Sequence, residues 1–375
     1  MGTGTTSSDS CRVGSNNYGE LLRQWLSSDA SITYERHSCS GDTISGLNSQ
    51  IGKWGNMGTA TVGTLTIGGN DVEFSDLVYY CVITPNTAHL PSTNRQYCLD
   101  AEKKANDYMD DSSTNGLRAK LKNAYISILQ KSGRNDFDLF VTGYPKFFDE
   151  QTTKCNKASF HYWWSTKEIG FLHDPRIVLL TTDLRTELDA LVTKLNGVIQ
   201  GAIQDANNER DTYQVHFVDV VDRFSNGNHR WCEDGVADPE PSRQETWFFL
   251  SAWPDVNYDT TAAENSEVQA LVSQGQIRLP DSSTCYEDLS SITTGADPYQ
   301  LAMCRVAQEV ADDPSGPQAL RLNQANRAIA AGDVSSQDIP WYIATRQAKT
   351  FHPRSPGMAA YRDAIIEVMQ IVGSV

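Results

Sequence analysis

Hydrophobic positions along this chain follow two periods, and the places where one gives way to the other mark its elements. The first apolar run of strand character, Thr61-Val62-Gly63-Thr64-Leu65-Thr66-Ile67, is rich in β-branched residues and stops at two glycines, so it reads as a buried strand ending in a tight loop. Asp136-Phe137-Asp138-Leu139-Phe140-Val141-Thr142-Gly143-Tyr144-Pro145 and Tyr213-Gln214-Val215-His216-Phe217-Val218-Asp219-Val220 are runs of the same kind. A helical pattern precedes each of these two. Leu117, Leu121, Ala124 and Ile128 share one face ahead of the second run, and Leu184, Leu188, Leu191, Leu195 and Val198 share one ahead of the third. A closing helix opens at Pro356-Gly357 and carries Met358, Tyr361, Ile365, Val368 and Val372 at helical spacing. Strand, helix, strand, helix predicts an α/β fold with a mostly parallel sheet and helices on both faces.

Residues 1–375 read as one domain. Between residues 225 and 284 the periodicity fades into Gly, Asp, Pro and Ser around the island Glu245-Thr246-Trp247-Phe248-Phe249-Leu250. This stretch is expected to be an insertion or lid over one edge of the site rather than a second domain. No apolar run is long enough to span a bilayer.

Charge narrows the partners. A net charge of −16 disfavours nucleic acid and anionic membranes, which bind through basic patches. The eight cysteines form an even set without a CxxC pair, so a disulfide framework and an oxidising, extracellular compartment are expected rather than a zinc site. Many pairings are open to eight cysteines; those favoured are Cys81 with Cys98, Cys285 with Cys304, Cys11 with Cys39, and Cys155 with Cys232. An export signal is expected of such a protein, yet the sequence starts Met1-Gly2-Thr3-Gly4. The seven histidines include no pair at helix-face metal spacing, and no glycine-rich phosphate loop follows a strand, so neither a metal nor a nucleotide cofactor is expected.

Candidate chemistry gathers at strand ends, where open α/β sheets keep their sites. After the first strand stands Gly68-Gly69-Asn70-Asp71. Its glycines allow close approach to a ligand, and the Asn70 amide can donate to a developing oxyanion. Alone, the tetrapeptide is equally a turn. Phe351-His352-Pro353-Arg354-Ser355-Pro356-Gly357 holds a histidine between prolines that restrict the backbone, which makes His352 a candidate base. Ser38-Cys39-Ser40-Gly41-Asp42-Thr43 is a small-residue turn whose Gly41 N–H is a second candidate oxyanion donor. The aromatic groups Tyr162-Trp163-Trp164 and Trp247-Phe248-Phe249, with Trp231 and Trp253, suit core or lid packing and, failing that, an acyl or sugar-binding cleft.

Taken in order, Cys39-Ser40-Gly41-Asp42-Thr43, Thr66-Ile67-Gly68-Gly69-Asn70-Asp71 and Phe351-His352-Pro353 with Gly357 resemble the second, third and fifth sequence blocks of the SGNH (GDSL-type) hydrolases. The likeness runs nearly end to end and is closest to the secreted, disulfide-bearing branch of actinomycetes and filamentous fungi, in which Asn228-His229-Arg230-Trp231-Cys232-Glu233 also has a counterpart. It implies a three-layer α/β/α sandwich, a monomer, and serine acyl transfer on a small-molecule, lipid or glycan ester. Gly41 and Asn70 would hold the oxyanion and His352 would be the general base.

Two departures stand out. Many family members have an aspartate three residues before the histidine, where this chain has Lys349; a backbone carbonyl does that task in the resembling branch, and the Lys349 carbonyl is the expected one. The family's Gly-Asp-Ser block, which supplies the nucleophile at the end of the first strand, is missing. Met1-Gly2-Thr3-Gly4 looks like the tail of that block, which puts the serine and its strand upstream of Met1. Ser10 in Asp9-Ser10-Cys11 mimics the motif but lacks the glycine and strand before it. The competing reading is a non-catalytic member that keeps the scaffold to bind a ligand or glycan. Retention of Gly41, Asn70 and His352 together favours the hydrolase.

Overall fold

A computed structural model of the chain describes residues 11, 13–27, 32–55, 57–83, 95–161, 178–236, 243–250, 270, 272–285, 297–335 and 350–375. Three parallel strands form an open sheet in the order β1 (Val62–Leu65), β2 (Asp138–Thr142), β3 (Val215–Val218), with Val62 opposite Asp138 and Leu139 opposite Val215. Each lies inside a run that the sequence marks as a strand. Among the described residues the α-helices are α1 (Tyr18–Leu26), α2 (Ile44–Lys53), α3 (Phe74–Val78), α4 (Arg95–Asp110), α5 (Leu117–Ser132), α6 (Thr182–Arg210), α7 (Val221–Ser225), α8 (Pro298–Asp312), α9 (Pro317–Ala331) and α10 (Ser355–Val372). A π turn, Tyr79–Ile83, continues α3.

Parallel strands require crossovers, and the crossovers supply the helical layers. α5 and α6 pack against each other and cover one face; Leu117, Leu121, Ala124 and Ile128 of α5 and Leu184, Leu188, Leu191 and Leu195 of α6 are buried there. α1 and α10 lie together across the other face, where the Tyr18 and Tyr361 rings stack at 5.7 Å. On that side Tyr18 Oη, Thr66 Oγ1 and Thr142 Oγ1 form a hydroxyl chain of 2.9 and 2.5 Å along the strand ends. In α10, Met358, Tyr361 and Ile365 are buried, while Val372 reaches solvent near the end.

One strand departs from its expected setting. β2 is buried over Leu139–Thr142's length, whereas β1 is only half-buried at all four positions. The reason is its place: β1 is the edge of the sheet among the described residues, and its outer side lines a groove of about 870 Å³.

Four disulfides tie the chain: Cys11–Cys39, Cys81–Cys98, Cys155–Cys232 and Cys285–Cys304. These are the favoured pairings. Among the described residues no helix is long and apolar enough to cross a membrane. Of the apolar island at 245–250, Phe248 and Leu250 join the main core with Trp231, and Phe249 is buried as well. Residues 251–269 lie outside the described residues, as do Ser10, Tyr162-Trp163-Trp164, Trp253 and Lys349.

Candidate active site

β1 runs out at Leu65, and the chain then reverses through Gly68, whose φ of +113° only glycine adopts without strain. Val72 N–H and Phe74 N–H donate back to the Gly68 and Gly69 carbonyls at 3.3 Å, which folds the loop onto the start of α3. From the next strand, Tyr144 Oη accepts the Gly69 N–H at 3.0 Å. Tyr144 is itself fixed by Asn196 of α6, whose amide both accepts from the Tyr144 N–H and donates to its carbonyl, each at 2.8 Å. The loop is thereby held from the neighbouring strand and, through it, from the helical layer.

Asn70 and Asp71 bind the second motif. One Asn70 Nδ2 hydrogen goes to the Asp42 carbonyl at 3.0 Å, which fixes the amide plane and leaves its other hydrogen for a ligand. The Asp71 carboxylate accepts the Ile44 N–H at 3.1 and 3.2 Å. α2 has no side-chain cap of its own at Thr43, so Asp71 caps it from a distance and sets a negative charge at its N-terminus. Burial pushes the Asp71 pKa up to about 6 against the opposing pull of the Ile44 N–H and of Lys120. Gly41 turns in the left-handed region at φ +87°, closed by Asp42 N–H on the Cys39 carbonyl. Its own N–H has no partner among the described residues and faces the same groove as Gly69 and Asn70.

His352 reaches that groove from a loop held on two sides. Phe351 adopts a left-handed φ of +59°. The apolar island lies alongside: Phe351 N–H donates to the Phe249 carbonyl, Phe249 N–H to the His352 carbonyl and Arg354 N–H to the Trp247 carbonyl, at 2.7 to 2.9 Å. The buried Arg354 guanidinium clasps the Arg243 and Thr246 carbonyls. His352 Nδ1 lies 3.1 Å from the Thr350 carbonyl, and the Phe74 ring meets the imidazole edge-on at 6.4 Å. With Nδ1–H directed at a carbonyl, Nε2 is the basic nitrogen.

Sequence reasoning missed what holds Thr350. Asp297, buried at the N-cap of α8, accepts the Thr350 N–H at 3.0 Å and its hydroxyl at 3.1 Å. It also accepts from the Tyr299 and Gln300 N–H groups. In the sequence Asp297-Pro298 signals only the start of a helix. Nor did the sequence mark Tyr144, which follows a strand as an ordinary loop residue. His229 is a structural group: its ring stacks on Trp247 at 3.4 Å and its Nδ1 meets the Glu245 carbonyl at 2.9 Å. Its neighbour Trp231 bridges to Phe148 past the end of β2.

Gly41, Asn70 and His352, then, open on one groove, joined there by Phe74, Phe147 and Phe248. Two N–H donors, one basic nitrogen and an aromatic lining are the parts that a tetrahedral oxyanion and its proton transfers need. No protein-family model matches the chain. Over 151 residues it is 29% identical to Lipase 1 of Streptomyces coelicolor, an alignment that takes in 36% of this chain and 49% of the lipase. The chain thus spans about half the length of the curated relative it matches. Among solved structures, the extracellular lipase of Streptomyces rimosus is 22% identical, with 70% of this chain and 85% of that one covered and a TM-score of 0.43. The actinomycete resemblance read from the sequence motifs is borne out at that level: this chain is similar to a Streptomyces lipase.

Proposed function

We propose that the chain is the body of a secreted carboxylic ester hydrolase that works by serine acyl transfer, with its nucleophile supplied by residues upstream of Met1. The observation that carries this reading is the convergence of Gly41, Asn70 and His352 on one groove. A serine Oγ attacks the ester carbonyl while His352 Nε2 takes its proton. The negative charge that develops on the carbonyl oxygen is met by the Gly41 N–H and the remaining Asn70 Nδ2 hydrogen. His352 then returns the proton to the leaving alcohol, and water repeats the sequence on the acyl-enzyme. Among the described residues the Thr350 carbonyl lies 3.1 Å from Nδ1 and can hold the imidazole, the task expected of the Lys349 carbonyl, which lies outside them. The aromatic lining of Phe74, Phe147 and Phe248 suits a small-molecule or lipid acyl group. Similarity to a Streptomyces lipase supports the reaction class, and four disulfides support an extracellular setting.

The test is serine-directed labelling with a fluorophosphonate. The 375-residue chain is expected to stay unlabelled, whereas a chain extended through the upstream coding sequence labels and hydrolyses a short-chain aryl ester. Labelling of the shorter chain at Ser10 would overturn the assignment of the nucleophile. Undiminished activity of the extended chain after His352→Ala would overturn that of the base.

A further inference from the structure

Phe147 stands where the groove meets the aromatic core. Its ring is partly buried and lines the groove, as does that of Phe74. Phe74 lies 6.4 Å from the His352 imidazole and 5.6 Å from Phe147, so Phe147 is one ring beyond the one that touches the imidazole. Phe74 is also tied to the loop that carries Asn70, through its own N–H on the Gly69 carbonyl at 3.3 Å. An apolar group that reaches out from a carbonyl held between Asn70 and His352 on this side meets Phe74 first and Phe147 next.

The wall behind Phe147 has no room to yield. Its ring packs edge-on against Phe248 at 5.3 Å and Phe351 at 5.4 Å, and both of these are buried. Behind them Phe351 meets Phe148 at 5.5 Å and Phe160 at 5.9 Å, and Phe160 meets Trp231 at 5.1 Å, again all buried. The backbone is pinned as well as the ring. The Phe147 carbonyl accepts the Trp231 N–H at 2.8 Å, Asp149 N–H donates to the Trp231 carbonyl at 2.7 Å, and the next residue, Cys232, is bonded to Cys155. From α6 the Arg185 guanidinium clasps the Asp149 carbonyl. A close-packed interior held in this way does not open a space the size of an alkyl chain. We propose that Phe147 is the specificity-determining residue of the site: it closes the acyl end and restricts the enzyme to esters of short, unbranched acids. The proposal rests on the hydrolase reading and goes beyond it by excluding long acyl chains. A butyryl group ends in front of the ring, whereas an octanoyl group has to displace it.

The experiment has two arms. In the first, the extended chain is given the acetate, butyrate, octanoate and palmitate of one aryl alcohol. Its kcat/KM is expected to fall at least about tenfold from butyrate to octanoate, the scale on which an apolar pocket rejects added methylenes. Phe147→Ala is expected to raise the octanoate-to-butyrate ratio at least about tenfold; if it does not fold by circular dichroism, Phe147→Leu, which keeps much of the volume, reads the same change. Phe160→Leu, inside the wall but away from the groove, is expected to lower the unfolding midpoint and leave the ratio alone. A profile that is flat, or that rises toward palmitate, would overturn the proposal and send the acyl chain along β1. An unchanged ratio in the folded Phe147 variant would overturn it too, as would a change confined to a series of acetates of different alcohols, which would put Phe147 on the leaving-group side. In the second arm, the 375-residue chain carries 4-fluorophenylalanine at position 147 and is titrated with the unreactive amides butanamide and octanamide. The fluorine signal is expected to move with butanamide and to stay in place with octanamide at equal concentration. A signal unmoved by butanamide, or moved equally by both, would overturn the wall. The expected shifts without ester hydrolysis by the extended chain would uphold the wall and sink the hydrolase reading, so the two failures are separable.

Discussion

Asp71 and Ile44 are joined by two contacts of 3.1 and 3.2 Å that run from the loop after β1 to the first amide of α2. Because Asn70 also donates to the Asp42 carbonyl, neighbouring residues fasten both proposed oxyanion donors to one turn. Asp71→Ala is expected to cost about 1 kcal/mol of stability in urea unfolding, the usual price of a lost helix cap. It should also lower kcat of the extended chain with little change in KM, while Asp71→Asn, which keeps an acceptor, holds most of both. Equal kcat in Asp71→Ala would separate the cap from the site.

Asp297 holds Thr350, whose carbonyl meets the imidazole, and on that contact we propose it as a positioning residue. Asp297→Ala leaves the Thr350 N–H unpaired in the core, a loss of about 1–3 kcal/mol. Thr350→Val removes just the hydroxyl contact and is the gentler probe. In both variants the lower limb of the pH–kcat profile of the extended chain is expected to move, since the Thr350 carbonyl sets the imidazole's partner. A profile of unchanged shape would make Asp297 a helix cap and nothing more.

Asp189 lies buried on α6 beside Glu150. Burial, with Glu150 beside it, pushes its pKa up to about 8 against the pull of Lys146 and Arg230. A folded-state pKa above the unfolded value means that the contribution to stability is complete below the ordinary aspartate range and is lost as pH rises through about 8. Asp189→Asn, which carries no ionisable proton, should therefore gain on the parent as pH rises from 4 to 9, by at least about 1 kcal/mol at the top of that range. Melting curves across this pH series check it; a constant difference would show that Asp189 does not titrate there.

The disulfides rank by the loops they close. Cys155–Cys232 spans 77 residues and Cys81–Cys98 spans 17; chain entropy gives roughly 4 and 3 kcal/mol respectively. Replacing Cys155 and Cys232 by serine should lower the unfolding midpoint more than replacing Cys81 and Cys98. The reverse order would place the stabilisation in native-state packing around α4.

The strands and the helices α5, α6 and α10 were legible because each buries one clean face, and periodicity records burial. Gly41, Asn70 and His352 were legible through short motifs whose backbone demands, positive φ at Gly68 and Gly41 and prolines around His352, leave a trace in residue type. Their supports left none. Asp297 and Thr350 are 53 positions apart, and Tyr144 meets Gly69 across 75; such contacts exist only once the sheet and helices are in register. The island at 245–250 looked like part of a lid because polar segments flank it, yet its backbone is the rail on which the His352 loop is hung. β1 reads as fully buried because its residues are those of an interior strand, and its half-exposed state reflects what lies beside it.

The central claim is that Asn70 and His352 serve one acyl-transfer site, and hydrolysis of an aryl acetate by the extended chain tests it most directly through Asn70→Ala. Loss of one preorganised oxyanion donor predicts a fall in kcat of about 10²–10³ with KM nearly constant. A kcat within about twofold of the parent, under RT of transition-state stabilisation, would contradict the account.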